Sequence, residues 1–216
     1  MARPNTDVEA VRAQLLDHVE VLIASRGGAS VTLAELATVA GMSPANIYRF
    51  FENKEALYEA VAERWFAPKI RIMEEVVASD LPIRDKLYQF FARRFTLMLN
   101  NYDADPMLFK SYLVLGKEHQ DIVLGYLDLG DHYLAMLISE AEGEGYFPGL
   151  SIDAAVSLVN LMVKPFIDAE AIVELRYSVS TAKLAIIIDT ILTGMRSAAA
   201  FAERPAHDLH LIHDAA

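Results

Sequence analysis

Apolar residues recur at helical spacing along most of the chain, and no segment shows the period-two alternation that a half-buried strand requires. The first stripe is Val8, Val11, Leu15, Val19, Leu22 and Ile23. Thr6 and Glu9 stand before it as a capping box, and the two glycines of "RGGAS" end it by accepting the left-handed turn after a helix. A second capping box, Thr32 to Glu35, opens a helix with Leu33, Leu36, Ala37 and Ala40 on its apolar face, and Gly41 stops it. Ser43 caps the third, with Pro44 at the first helical position, where its missing N–H costs nothing. Asn53 caps a fourth, whose stripe is Leu57, Val61 and Trp65. Residues 7–66 therefore read as four short helices, the second and third joined by a tight glycine-containing turn, which is the helix-turn-helix plan.

Wheel geometry divides the third helix, expected over residues 44–50. Ile47, Phe50 and Phe51 face the other helices, while Ala45, Tyr48, Arg49 and Glu52 share the opposite face. On that free face a small residue at 45 lets the helix start approach a groove. Tyr48 suits a phosphate, and Arg49 or Asn46 suits a base edge. Lys54 and the amides at the two helix starts add phosphate donors. A solvated face on a small helical bundle is the competing account.

Composition and charge narrow the classes. With 54% hydrophobic residues among 216, the chain has ample material for a core and is not disordered. Without cysteine it holds no disulfide or thiolate metal site, which fits a cytoplasmic protein. No stretch of about eighteen uncharged apolar residues appears, and no membrane span is expected. The net charge of −11 argues against broad phosphate neutralisation. Residues 1–66 carry six Lys/Arg and nine Asp/Glu, so a DNA contact has to come from a few well-placed groups. No phosphate-binding glycine loop, Gly-x-Ser-x-Gly or HExxH is present, so neither an enzyme nor a cofactor is expected.

The segment "VTLAELATVAGMSPANIYRFFENKEALYEAV" resembles the DNA-binding domain of the TetR/AcrR family of bacterial transcriptional regulators, over about residues 8–62. The resemblance rests on the Ala-Gly turn, the serine at the helix start, "IYRFF" and "NKEAL", in that order. It implies an all-α protein with an N-terminal three-helix DNA-binding domain (1–66, helix-turn-helix about 31–51) and a larger helical ligand-binding and dimerisation domain (67–204). It further implies a homodimer, usually a repressor, that binds a double-stranded DNA operator and a small apolar or amphipathic ligand. Ser43, Ala45, Asn46, Tyr48 and Arg49 take recognition-helix positions, and Thr32 and Lys54 take phosphate positions. Glu52, an acid near the DNA side, departs from the pattern.

Beyond residue 66 no motif transfers. Helices are expected at "APKIRIMEEVV", "IRDKLYQFFARRFTLMLNN", "DPMLFKSYLVLG", "EHQDIVLGYLDLGDHYLAMLISEAEGEG", "IDAAVSLVNLMV" capped by Ser151, and "STAKLAIIIDTILTGMRSAAAF". Residues 205–216 read as a frayed tail. Arg94 falls inside an apolar stripe with Phe91, Phe95 and Met98, and a guanidinium there needs an anion: a ligand carboxylate, or an acid on a neighbouring helix unless it snorkels out. Phe91, Phe95, Met98, Tyr102, Met107, Phe109 and Tyr112 suit a pocket lining or plain core. Asp128 and His132 stand at i, i+4 without a third ligand, and His207, His210 and His213 lie in the tail; solvated positions account for both groups, and no metal is expected.

One short recognition helix reads too few base pairs for a bacterial genome, so a two-fold dimer on palindromic half-sites is expected. Its interface is sought on the last two long helices: Leu158 and Met162 on one, Leu184, Ile187, Ile188, Ile191 and Met195 on the other, which is apolar nearly all round. Two other classes remain open: a DNA-binding protein without a ligand, and a helical adaptor that has lost DNA binding.

Overall fold

The computed structural model describes residues 6–196. These form ten helices: α1 (Thr6–Ser25), α2 (Leu33–Val39), α3 (Pro44–Ile47), α4 (Lys54–Val77), α5 (Ile83–Ala104), α6 (Pro106–Glu118), α7 (Gln120–Gly143), α8 (Ile152–Ile167), α9 (Ala169–Leu175) and α10 (Thr181–Arg196). No strand occurs among the described residues. The fold is all-α, as the periodicity indicates. The three tail histidines and the expected end of the last helix lie outside the described residues, as does the side chain of Thr6.

The predicted caps form where short polar side chains meet free amides. Thr32 accepts from Glu35 N at 3.2 Å while Glu35 accepts from Thr32 N at 2.8 Å, which closes the capping box of α2. Asn53, Asp105 and Ser151 cap α4, α6 and α8 through Ala56 N, Leu108 N and Ala154 N. Ser43 occupies the cap position of α3, but its hydroxyl makes no capping bond.

Three segments run differently from the sequence reading. α3 has only four α-helical residues, and residues 48–50 continue it as tight turns, with Arg49 N on Asn46 O and Phe50 N on Ile47 O. α4 does not stop near residue 66. It runs 24 residues through Pro68, because its apolar stripe continues at Met73 and Val76 and neighbouring helices bury it. α8 likewise passes Pro165 to Ile167, and a further short helix, α9, follows it. Asp168 caps α9 by accepting from Glu170 N and Ala171 N.

Two hydrophobic cores result. The smaller joins α1–α3 to the first half of α4, with Leu15, Val19, Ile23, Leu36, Ile47, Phe51, Leu57 and Val61 at its centre. Leu115 of α6 is buried in this same core, so α6 acts as a buttress beneath the helix-turn-helix. The larger core lies among the second half of α4 and α5–α10.

Candidate functional site

The first candidate surface is α3 and its turn. Ile47 and Phe51 are buried and Phe50 packs against them, so the helix is fixed through one face. Ser43, Ala45, Tyr48 and Arg49 are exposed on the other, Tyr48 by 56%, and Asn46 is half-buried. Thr32 and Lys54 are also exposed. The Thr32 hydroxyl is engaged, donating to Glu35 Oε2 at 2.8 Å. Lys54 Nζ donates to Ser30 Oγ at 3.3 Å and keeps its other N–H groups for an external anion. Glu35 is held at about 2 by the Thr32 amide, then by the Thr32 hydroxyl and Arg26, so it stays ionised and clamps the start of α2.

The second candidate is a half-open cavity of about 750 Å³ lined by α4–α9, within the size range of small-molecule sites. Its wall is mainly apolar and aromatic: Val61, Trp65, Phe66, Ile70, Met73 and Phe90 are among its residues. Trp65 stacks on Tyr112 (4.5 Å between ring centroids) and Phe66 on Tyr126 (4.4 Å). Of the residues expected to line a pocket, Arg94, Met98 and Tyr112 do so. Phe91, Phe95, Tyr102 and Phe109 do not: they are buried in the larger core, Phe95 edge-on to Phe166 and Tyr102 edge-on to Phe109. Met107 is exposed. A helical stripe shows that residues face inward but not whether they meet another helix or an empty space.

Two cations share the cavity. Arg94 Nε donates to Phe90 O at 2.8 Å and Nη1 to Met73 Sδ at 3.3 Å, and the guanidinium lies 4.1 Å from the Phe90 ring centre. Lys69 is only 7% exposed; its ammonium donates to Trp65 O at 2.7 Å and sits 3.7 Å from the Trp65 ring centre. Burial, then repulsion from Arg94, lowers the Lys69 pKa to about 7. Burial also brings Arg94 down to about 10, partly offset by Asp131, so it remains charged at neutral pH. Lys69 was not singled out from sequence; its one signal was a position on the α4 stripe, a turn after Trp65.

The cavity wall is bonded to the helix-turn-helix unit. Tyr112 donates to Glu20 Oε1 of α1 at 2.5 Å, and Glu20 in turn pairs with Arg64 of α4 at 3.2 Å. Tyr58, stacked on His119 at 4.2 Å, binds the Val31 backbone through its hydroxyl, accepting from Val31 N at 2.6 Å. Tyr58, Tyr112 and His119 all line the cavity.

The helices proposed for self-association divide sharply. Leu184, Ile188 and Ile191 are buried in this chain's own core, because α10 turns that face onto α5 and α8. They are not available to a partner. Leu158, Ile187 and Met195 are half-buried, Met162 is exposed, and Ile186, also part of the apolar surface read for the last helix, is 65% exposed. Asp128 and His132 gain no third ligand among the described residues. No described helix is long and apolar enough to cross a membrane.

Comparison with known proteins matches residues 15–61 to the family described as "Bacterial regulatory proteins, tetR family", and residues 84–188 to "Tetracyclin repressor-like, C-terminal domain". The chain is 26% identical over 133 residues to the fatty acid metabolism regulator protein of Bacillus subtilis, covering 60% of this chain and 69% of that one. It is also 26% identical over 180 residues to an HTH-type transcriptional regulator from the dhlA 5' region of Xanthobacter autotrophicus, covering 82% and 83%. Among solved structures, FadR of Bacillus subtilis in complex with stearoyl-CoA superposes with a TM-score of 0.64 at 18% identity, over 84% of this chain and 98% of that one. The fatty acid degradation regulator FadR of Bacillus halodurans gives 0.63 at 17%, over 91% and 99%. With the helix-turn-helix and the larger helical region each matched in sequence and fold, the chain belongs to the TetR family of bacterial transcriptional regulators.

Proposed function

We propose that this protein is a homodimeric repressor that holds a palindromic operator and releases it when an acyl compound fills the cavity. The observation that carries this reading is that Tyr58 and Tyr112 belong at once to the cavity wall and to the hydrogen bonds that position α1 and α2. A molecule pressing on that wall acts on both cores, and an effector shifts an equilibrium only through such differential contacts. The size and apolar lining of the cavity suit an alkyl chain. The fatty-acid regulator of Bacillus subtilis and the stearoyl-CoA complex of its FadR support acyl compounds as the class.

In this reading Tyr48, Arg49 and Asn46 meet the bases and neighbouring phosphates, Ala45 permits close approach, and Ser43, Thr32 and Lys54 hold the backbone. Leu158, Met162, Ile186 and Ile187 make the contact between subunits.

The test is a gel shift on the region upstream of the protein's own gene, with and without palmitate or palmitoyl-CoA. Retention without effector and release by either compound are expected. Retention unchanged by both would reject an acyl effector, and no retention at all would favour the adaptor.

A further inference from the structure

The cavity wall carries four cations, Lys69, Arg94, Lys117 and Lys164, against three carboxylates, Asp131, Asp168 and Glu170. Lys117 pairs with Glu170, and Lys164 lies 3.9 Å from Asp168. Asp131 is the carboxylate that acts on Arg94, but its Oδ1 already accepts from Asn160 at 2.7 Å. Among the described residues no carboxylate oxygen comes within 4.0 Å of Lys69 or Arg94. In a chain of net charge −11, one positive charge is thus left over on the wall of an apolar space, where Lys69 is buried and Arg94 half-buried.

The donors are as telling as the charge. Two of the guanidinium's five N–H groups and one of the ammonium's three have protein partners among the described residues. Holding a lysine and an arginine together without a counter-ion is costly, and a bound anion removes that cost.

We infer that Lys69 and Arg94 form a subsite for a single carboxylate, so that the effector is a long-chain free acid bound with its head inward and its alkyl chain along the Trp65–Tyr112 wall. This rests on the acyl reading above and narrows it. A coenzyme A thioester has no carboxylate to place there, and its several phosphates exceed the one charge to be balanced. Its nucleotide would have to remain outside.

Trp65 is the chain's one tryptophan, and it lines the cavity beside Lys69, so its emission reports occupancy. Titrate the full-length protein at pH 7 with palmitate, hexadecanol and palmitoyl-CoA, following Trp65. In a plain apolar cavity the alcohol outbinds the carboxylate, because the ion loses more hydration. Here palmitate is expected to bind about ten-fold tighter than hexadecanol or better, the worth of a charge-assisted hydrogen bond. Lys69→Met and Arg94→Met should each lower the ratio of palmitate to hexadecanol affinity by about ten-fold, and Lys69→Arg, which keeps the charge, should retain that ratio. Thermal melts confirm that the variants fold.

Hexadecanol matching palmitate in the unmodified protein, or palmitoyl-CoA binding tightest and unaffected by Lys69→Met, overturns the carboxylate subsite but leaves the acyl reading standing. No Trp65 response and no operator release with any of the three compounds overturns both.

Discussion

Tyr112 lines the cavity on α6, and its hydroxyl donates to Glu20 of α1 across 2.5 Å, linking residues 92 positions apart in the chain. Burial and the adjoining Glu20 carboxylate raise the Tyr112 pKa, so the phenol remains a donor throughout the physiological range. Tyr112→Phe deletes the bond but keeps the ring that stacks on Trp65. The expected outcome is near-normal palmitate binding by Trp65 fluorescence and near-normal operator affinity without effector. Effector-driven release should shrink by roughly five-fold or more, in line with coupling energies of about 1–3 kcal/mol. Unchanged release would place the coupling elsewhere, with Tyr58 and Val31 next in line.

The exposed face of α3 gives a second expectation. Tyr48→Phe and Arg49→Ala should each weaken operator binding by about 1–3 kcal/mol, the value of one good contact. Neither side chain is buried, so the melting temperature should stay put. Unaltered DNA affinity for both variants would dismiss α3 as the reading element.

Gly28 sits where the two units touch. Its φ is +92, and a Cβ would fall 2.6 Å from Val114 Cβ and 2.9 Å from Ser111 O on α6. Gly28→Ala therefore combines backbone strain with a collision, and a loss of about 2 kcal/mol or more is expected in urea unfolding. Gly27 also has positive φ (+62) but open space around it, so Gly27→Ala should cost only about 1 kcal/mol. Equal losses would mean that packing between Gly28 and α6 contributes nothing.

Lys69 makes stability depend on pH in a definite direction. Its pKa in the fold is about 7, against 10.5 for an unburied lysine, so folding disfavours the charged form. Below pH 7 both folded and unfolded chains carry the proton, and the destabilisation is complete. Between pH 7 and 10.5 the fold releases the proton while the unfolded chain keeps it, so stability climbs with pH. The limiting slope is roughly 1.4 kcal/mol per pH unit. Subtracting the profile of Lys69→Met should isolate this rise from Arg94, Asp131 and the tyrosines nearby; identical profiles would show that the amine is not desolvated.

For the subunit contact, light scattering of the unmodified protein should give about twice its 24.0 kDa. Ile186→Glu puts a charge on the exposed side of α10 without touching the core and should yield monomers that hold the operator poorly. A dimer that survives this change would move the interface off α10.

What the residue pattern revealed follows the range of the interactions. Caps and stripes are local, so the starts of α2, α4, α6 and α8 and the buried face of α3 were legible. The union of α4 across Pro68 was not: helix was legible on both sides, but a proline in an isolated helix is a break, and burial against α5 and α7 holds the two parts as one rod. The same distance dependence hid the cavity. Phe95 and Met98 lie one turn apart on α5, yet one meets Phe166 and the other an open space. Leu184, Ile188 and Ile191 showed an apolar face without showing which partner covers it. Lys69 gave no sign of its burial, because the cavity around it is closed by helices far along the chain.

In the proposed release, the uninterrupted course of α4 would act as a lever. Fifteen residues separate Lys69 from Lys54 at the edge of the helix-turn-helix, about 22 Å at the helical rise. A tilt of about 10° at the cavity end therefore swings the Lys54 end by about 4 Å. Paired recognition helices must sit about 34 Å apart to meet successive major grooves. A swing of about 4 Å is roughly an eighth of that spacing, enough to take a short helix out of register with a groove it must enter.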